Sequence, residues 1–114
     1  MAMKEIDLLQ GTLDLLILKT LSNEPMHGYR IAARIQQLSD EVLRIEEGSL
    51  YPALYRLEQK GLIQSEWGMT DNNRKAKFYK LTRKGRTEME AESESWQRLS
   101  RAVARVLKAI EQGA

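Results

Sequence analysis

Gly48 to Ile63 reads GSLYPALYRLEQKGLI, and the rest of the chain is organised around it. Leu50, Leu54 and Leu57 fall at i, i+4 and i+7, which puts one narrow apolar stripe on a helix. Ser49 is a candidate N-cap, because its hydroxyl can accept from a free backbone N–H two or three residues on. That cap places Pro52 in the first turn, where a missing N–H costs nothing and the fixed φ suits a helix. Gly61 ends the helix, with Lys60 at the negative end of its dipole. The chain then turns directly into an extended run at Leu62.

The face away from the stripe carries Ser49, Pro52, Tyr55, Arg56 and Gln59. It holds hydrogen-bonding groups, an aromatic ring and a cation, and no carboxylate; Glu58 sits near the buried edge. Such a face suits a DNA major groove, and it equally suits plain solvation. The helix alone does not decide between them.

Composition narrows the choice. A chain of 114 residues, 42% hydrophobic and 30% charged, is expected to form one soluble domain with at most an appended element. No cysteine is present, so disulfides and thiolate metal sites are excluded and a reducing cytoplasm is the expected compartment. One histidine, His27, rules out a multi-imidazole metal site within one chain. No signal peptide is expected, and Leu13 to Leu21, the most apolar run, is broken by Asp14 and Lys19 and too short for a bilayer. Charge is unevenly spread. Residues 1–47 carry 5 basic and 8 acidic side chains, residues 48–86 carry 9 and 3, and residues 87–114 carry 4 and 5. The positive field of the middle third points to an anionic partner for that third.

In chain order, residues 1–11 read as a short arm and Thr12 as the cap of a first helix, Leu13 to Ser22. That helix is apolar on most sides, which calls for either a central core position or a partner subunit. Asn23-Glu24-Pro25 breaks the chain before a second helix, about His27 to Leu38, with Ile31, Ile35 and Leu38 as core positions. His27 reads as a polar group at the helix end. Residues 39–47 are acidic and irregular, with Val42, Leu43 and Ile45 tacking them to the core. After the central helix, Leu62 to Trp67 and Lys75 to Leu81 read as two strands around a turn-rich tip from Gly68 to Arg74. Arg74, Lys75, Lys77 and Lys80 make this hairpin suited to gripping phosphate or probing a minor groove, and a plainly solvated hairpin is the alternative. Thr82 caps a last helix from about Arg83 to Glu111, where Gly85 is expected to cost ~1 kcal/mol relative to alanine. Met89, Trp96, Leu99, Val103, Val106 and Ile110 form a 3-4 stripe that calls for a second copy.

Helix, helix, helix, hairpin and long helix describe a winged helix-turn-helix, an α+β and mostly α fold. The division expected is residues 1–82 for DNA binding and 83–114 for a dimerisation helix. The sequence resembles the PadR family of bacterial transcriptional regulators, in its short subgroup with one C-terminal helix. The resemblance spans about residues 8–107. It rests on Gly11-Thr12-Leu13, His27-Gly28-Tyr29, the run Gly48 to Glu58, Lys60-Gly61-Leu62-Ile63, Lys77-Phe78-Tyr79 and Leu81-Thr82-Arg83-Lys84-Gly85.

The resemblance implies a cytoplasmic, homodimeric repressor of promoter DNA, released by a small molecule or another cue, with no cofactor. It assigns Ser49, Tyr51, Pro52, Tyr55 and Arg56 of the third helix to the major groove, to which the outer face adds Gln59, and Arg74, Lys75 and Lys77 of the wing to the backbone. The wing departs from the family's Gly-Arg-Arg-like run, having Asn73-Arg74-Lys75-Ala76-Lys77. Trp96 stands where some members stack a planar aromatic effector at the dimer centre. A winged-helix module for protein–protein contact is the alternative, and the basic middle third argues against it. An enzyme has no support, since the chain has no Gly-rich phosphate loop and no paired nucleophile and base.

Overall fold

The computed structural model describes residues 10–114. The elements are α1 (Gln10–Thr20), β1 (Met26–His27), α2 (Gly28–Leu38), α3 (Glu47–Gln59), β2 (Ile63–Met69), β3 (Lys75–Leu81) and α4 (Arg83–Glu111). Helices dominate, and one antiparallel sheet of order β1-β3-β2 flanks them. The arm expected over residues 1–11 lies, for residues 1–9, outside the described residues. Thr12, expected as a cap, is inside α1.

The core is the meeting of α1, α2, α3 and the sheet. Ile17, Leu18, Ile31, Leu50, Leu54, Leu57 and Ile63 are its fully buried large side chains. α1 buries Leu13, Ile17 and Leu18, and Leu15 and Leu16 pack half-buried on the same cluster. A central position therefore accounts for most of its apolar surface. Leu38 is corrected: it is 66% exposed, because α2 turns its Ile31–Ile35 side to the core and Leu38 overhangs the edge. Leu43 and Ile45 do pack against the core from the loop after α2.

α3 begins earlier than its stripe suggested. Its N-cap is Glu46, and Ser49 lies inside the first turn with its backbone N–H donating to the Glu46 carbonyl at 3.0 Å. Glu46 and Glu47 complement the positive end of the helix in place of a hydroxyl cap. Pro52 is consequently inside the helix rather than in its first turn. Its ring removes the bond to the Gly48 carbonyl, which is tolerated where Gly48 is exposed and water can replace the donor. The far end matches the reading from sequence. Gly61 adopts φ +76°, Leu62 N donates to Leu57 O at 3.0 Å, and Gly61 N donates to Glu58 O at 2.9 Å. These two bonds are a Schellman motif.

The same turn anchors α4. Thr82 Oγ1 donates to Gly61 O at 2.7 Å and accepts from Gly85 N at 3.0 Å, while Thr82 N donates to Leu62 O at 3.1 Å. Thr82 is thus the expected cap and also a clamp on the end of α3. Arg86 Nη2 donates to Ser22 O at 3.1 Å, which ties α4 to the end of α1. Met89 is corrected as a dimer-seam residue: it is 3% exposed, buried in its own subunit where α4 still lies on the body. Beyond that point α4 stands away from the core. Trp96, Leu99, Val103, Val106, Leu107 and Ile110 are all exposed on it.

β1 was not expected from sequence. Two residues suffice, Met26 opposite Tyr79 and His27 opposite Phe78. The hairpin pairs Ile63 with Leu81 through Met69 with Lys75, so Gly68 and Met69 belong to β2 and not to the tip. The tip is Thr70 to Arg74, closed by Thr70 N donating to Arg74 O at 2.8 Å, with Asn73 at φ +62°.

Candidate nucleic-acid interface

α3 turns Leu50, Ala53, Leu54 and Leu57 inward, which leaves Ser49, Tyr51, Pro52, Tyr55 and Gln59 exposed on its outer side. Tyr55 is 66% exposed. These five expected residues share one open surface. Arg56 does not join them. Its Nη2 donates to Asp14 Oδ1 of α1 at 3.1 Å, and its Nε is buried. Asp14 shares this inner position. Burial pushes its carboxyl pKa up, and the nearby Arg56 and Lys60 charges oppose that without cancelling it.

The wing stands beside this surface. Alternation puts Trp67, Lys75, Lys77 and Tyr79 on one face of the hairpin, the face toward α3. Lys75 Nζ lies 5.1 Å from the Trp67 ring centroid, a cation–π contact that holds the ammonium at the surface. Lys77 Nζ is 4.0 Å from Glu58 Oε1, and the other oxygen of Glu58 accepts from Ser65 Oγ at 2.6 Å. Lys77 is therefore partly neutralised by α3. The Arg74 side chain is exposed at the tip.

Between wing and helices runs a groove of about 730 Å³. Its walls are Trp67, Arg74, Lys75 and Lys77 on one side, and Tyr51 with the start of α2 on the other. His27 caps α2, its Nδ1 accepting from Arg30 N at 3.3 Å, and its ring meets Phe78 edge-on with centroids 5.4 Å apart. Gly28 lets the Tyr51 ring lie close: a Cβ at this position would be 3.0 Å from Tyr51 Cε1. The His-Gly-Tyr triplet thus joins α2 to the α3 surface. Tyr29, 74% exposed, extends the aromatic wall. His27, Tyr29 and Trp67 were missing from the residues expected at the interface. His27 is brought here by β1, a two-residue strand that no periodicity reveals, while Trp67 is brought here by its register opposite Lys77.

A helix with an open polar face beside a basic hairpin has the layout of a winged helix-turn-helix. Residues 17–91 match the model of the transcriptional regulator PadR-like family. The chain belongs to the PadR-like family of transcriptional regulators. A PadR-like transcriptional regulator from Bacillus cereus is 30% identical, with TM-score 0.75 over 87% of this chain and 94% of that one. A transcriptional regulator from Clostridium thermocellum is 29% identical, with TM-score 0.76 over 84% of this chain and 90% of that one. A transcriptional regulator of Mycobacterium tuberculosis is 35% identical over 87 residues, which is 76% of this chain and 78% of the relative. PadR-like proteins are DNA-binding transcriptional regulators and not enzymes. No helix among the described residues is long and apolar enough to cross a membrane.

Proposed function

We propose that the protein is a homodimeric, cytoplasmic repressor that reads a pseudo-palindromic operator through α3 and is released by a planar aromatic effector. The groove between wing and helices carries the DNA part. Ser49, Tyr51, Pro52, Tyr55 and Gln59 read the major groove, while Arg74, Lys75 and Lys77 hold flanking phosphates. Residues 1–82 act as the DNA-binding unit and 83–114 as the dimerisation helix, whose first turns rest on the body.

Dimerisation is supported by the stripe Trp96, Leu99, Val103, Val106 and Ile110, exposed on a helix that leaves the core. Two copies on a twofold axis present two identical reading helices. Half-sites in the bound DNA are therefore expected to repeat about one helical turn apart, or at a multiple of it. Selection of bound duplexes from a random pool, followed by footprinting, checks this. A monomer protecting one asymmetric half-site would contradict it.

Trp96 lies on the stripe and is 46% exposed, so it and its mate are suited to flank an apolar gap at the axis. Trp96→Ala is expected to abolish quenching of tryptophan fluorescence by planar aromatic cations while leaving dimer and DNA binding largely intact. Quenching of Trp96 itself is read in Trp67→Phe, where it is the one tryptophan left, and Trp96→Ala with Trp67 retained is the control for dimer and DNA binding. If no planar compound quenches Trp96 and the alanine variant dissociates, Trp96 is a seam residue only.

A further inference from the structure

We infer that Arg56 is a positioning residue for sequence reading, acting through Asp14 of α1 and not through contact with the bases. This rests on the DNA-reading role of α3 proposed above. The guanidinium turns inward: Nη2 meets Asp14 Oδ1 at 3.1 Å, and the side chains of Arg56 and Asp14 are 31% and 15% exposed. Arg56 Nε is buried and has no hydrogen-bond partner among the described residues. Arg56 and Asp14 are 42 residues apart in the chain, so their bond joins the middle of α3 to α1 across the core. The rest of that contact is aliphatic. Leu13 and Ile17 of α1 meet Leu50, Leu54 and Leu57 of α3 in one cluster. Apolar contacts carry no direction, whereas a charge-assisted hydrogen bond adds a directional link between the two helices.

Energetics separates this role from plain stabilisation. An ion pair taken partly out of water, as this one is, need be no better for stability than an apolar pair of similar volume, while removing one partner leaves the other charge uncompensated. The carboxyl of Asp14 behaves accordingly, because burial outweighs the attraction of Arg56 and holds its pKa above the ordinary value. Its contribution to stability is therefore largest when it is protonated and is lost as pH rises through its raised pKa. Burial thus works against the charged form of Asp14, and the contact with Arg56 offsets only part of that. What the contact supplies is a fixed orientation of the exposed face of α3, with Tyr51, Tyr55 and Gln59, relative to α1.

The experiment compares full-length Asp14→Leu, Arg56→Met and the double variant with the parent. The probes are the tightest duplex selected from a random pool by the parent and an unrelated duplex of equal length. Both single variants should lower the affinity ratio of selected to unrelated duplex by about tenfold or more, the worth of one misplaced base contact. The two losses should not multiply in the double variant. Its melting temperature should equal or exceed the parent's, with the ratio still lost. The dependence of log affinity on log salt for the unrelated duplex should stay parental in all three. Where a single variant fails to fold, the double variant decides.

A parental ratio in the double variant, or in a folded Asp14→Leu, would overturn the proposal. So would a salt slope flattened by ~1 per subunit in Arg56→Met, which marks direct phosphate contact. A parent that enriches no duplex would instead remove the DNA-reading role, and this inference with it.

Discussion

Gly85→Ala is expected to destabilise the protein by about 2–3 kcal/mol, lowering the melting temperature by about 10 °C or more. Helix propensity alone gives the opposite sign, a gain of ~1 kcal/mol from replacing a helical glycine. The structure decides between them. A Cβ on Gly85 would lie 1.9 Å from Leu62 O and 2.8 Å from Leu81 Cδ1. The Leu62 carbonyl cannot retreat freely, since it accepts from Thr82 N at 3.1 Å and follows the turn that ends α3. Relief therefore requires moving the start of α4 off that turn. The move would strain the Thr82 clamp and the Met89 contact with the core together. Thermal unfolding of the alanine variant checks this, and a melting temperature at or above the parent's would show that propensity governs the site. Gly11, with open space where its Cβ would be, is the matched control.

That contrast shows what the sequence displayed and what it withheld. Signals carried by neighbours in the chain were legible. Lys60-Gly61 announced the end of α3, Thr82 announced α4, and the β-favouring run Lys75 to Leu81 is β3. Features made by distant residues were not. β1 exists only because Met26 and His27 meet Tyr79 and Phe78 across the fold. Periodicity gave Met89 and Trp96 the same line on α4, but only the docking of α4 on the body separates the buried one from the exposed one. Arg56 falls at the border of the α3 stripe, roughly 60° round the helix from buried Ala53. A border position faces water or a neighbour depending on what packs there, and here α1 brings Asp14. The outer set of α3 was otherwise legible, because a narrow stripe leaves little choice for the remaining faces.

For the wing, the expected result is a graded loss of salt sensitivity. Each phosphate contact that a protein makes adds ~0.9 to the slope of log affinity against log salt on duplex DNA. A regulator with 6–10 such contacts loses about 10³–10⁵ in affinity between 50 and 200 mM salt. Removing Arg74, Lys75 and Lys77 together should take away much of that dependence. The three residues should not contribute equally. Arg74 is exposed at the tip, where its fork can bind phosphate directly. Lys75 is positioned by the Trp67 ring without being neutralised, since a ring face carries no net charge. Lys77 already faces Glu58 at 4.0 Å, so it has the weakest residual field to offer a phosphate. Arg74→Ala should flatten the slope by ~1 per subunit, Lys75→Ala by nearly as much, and Lys77→Ala by least. Glu58→Gln frees Lys77 and should steepen the slope, provided Ser65 Oγ keeps its bond to the amide. Binding of a fixed duplex, measured from 50 to 200 mM salt, separates these outcomes. If the triple-alanine variant keeps the parental slope, the wing stands clear of the duplex. If Lys77→Ala flattens the slope more than Arg74→Ala, Glu58 does not neutralise it on DNA.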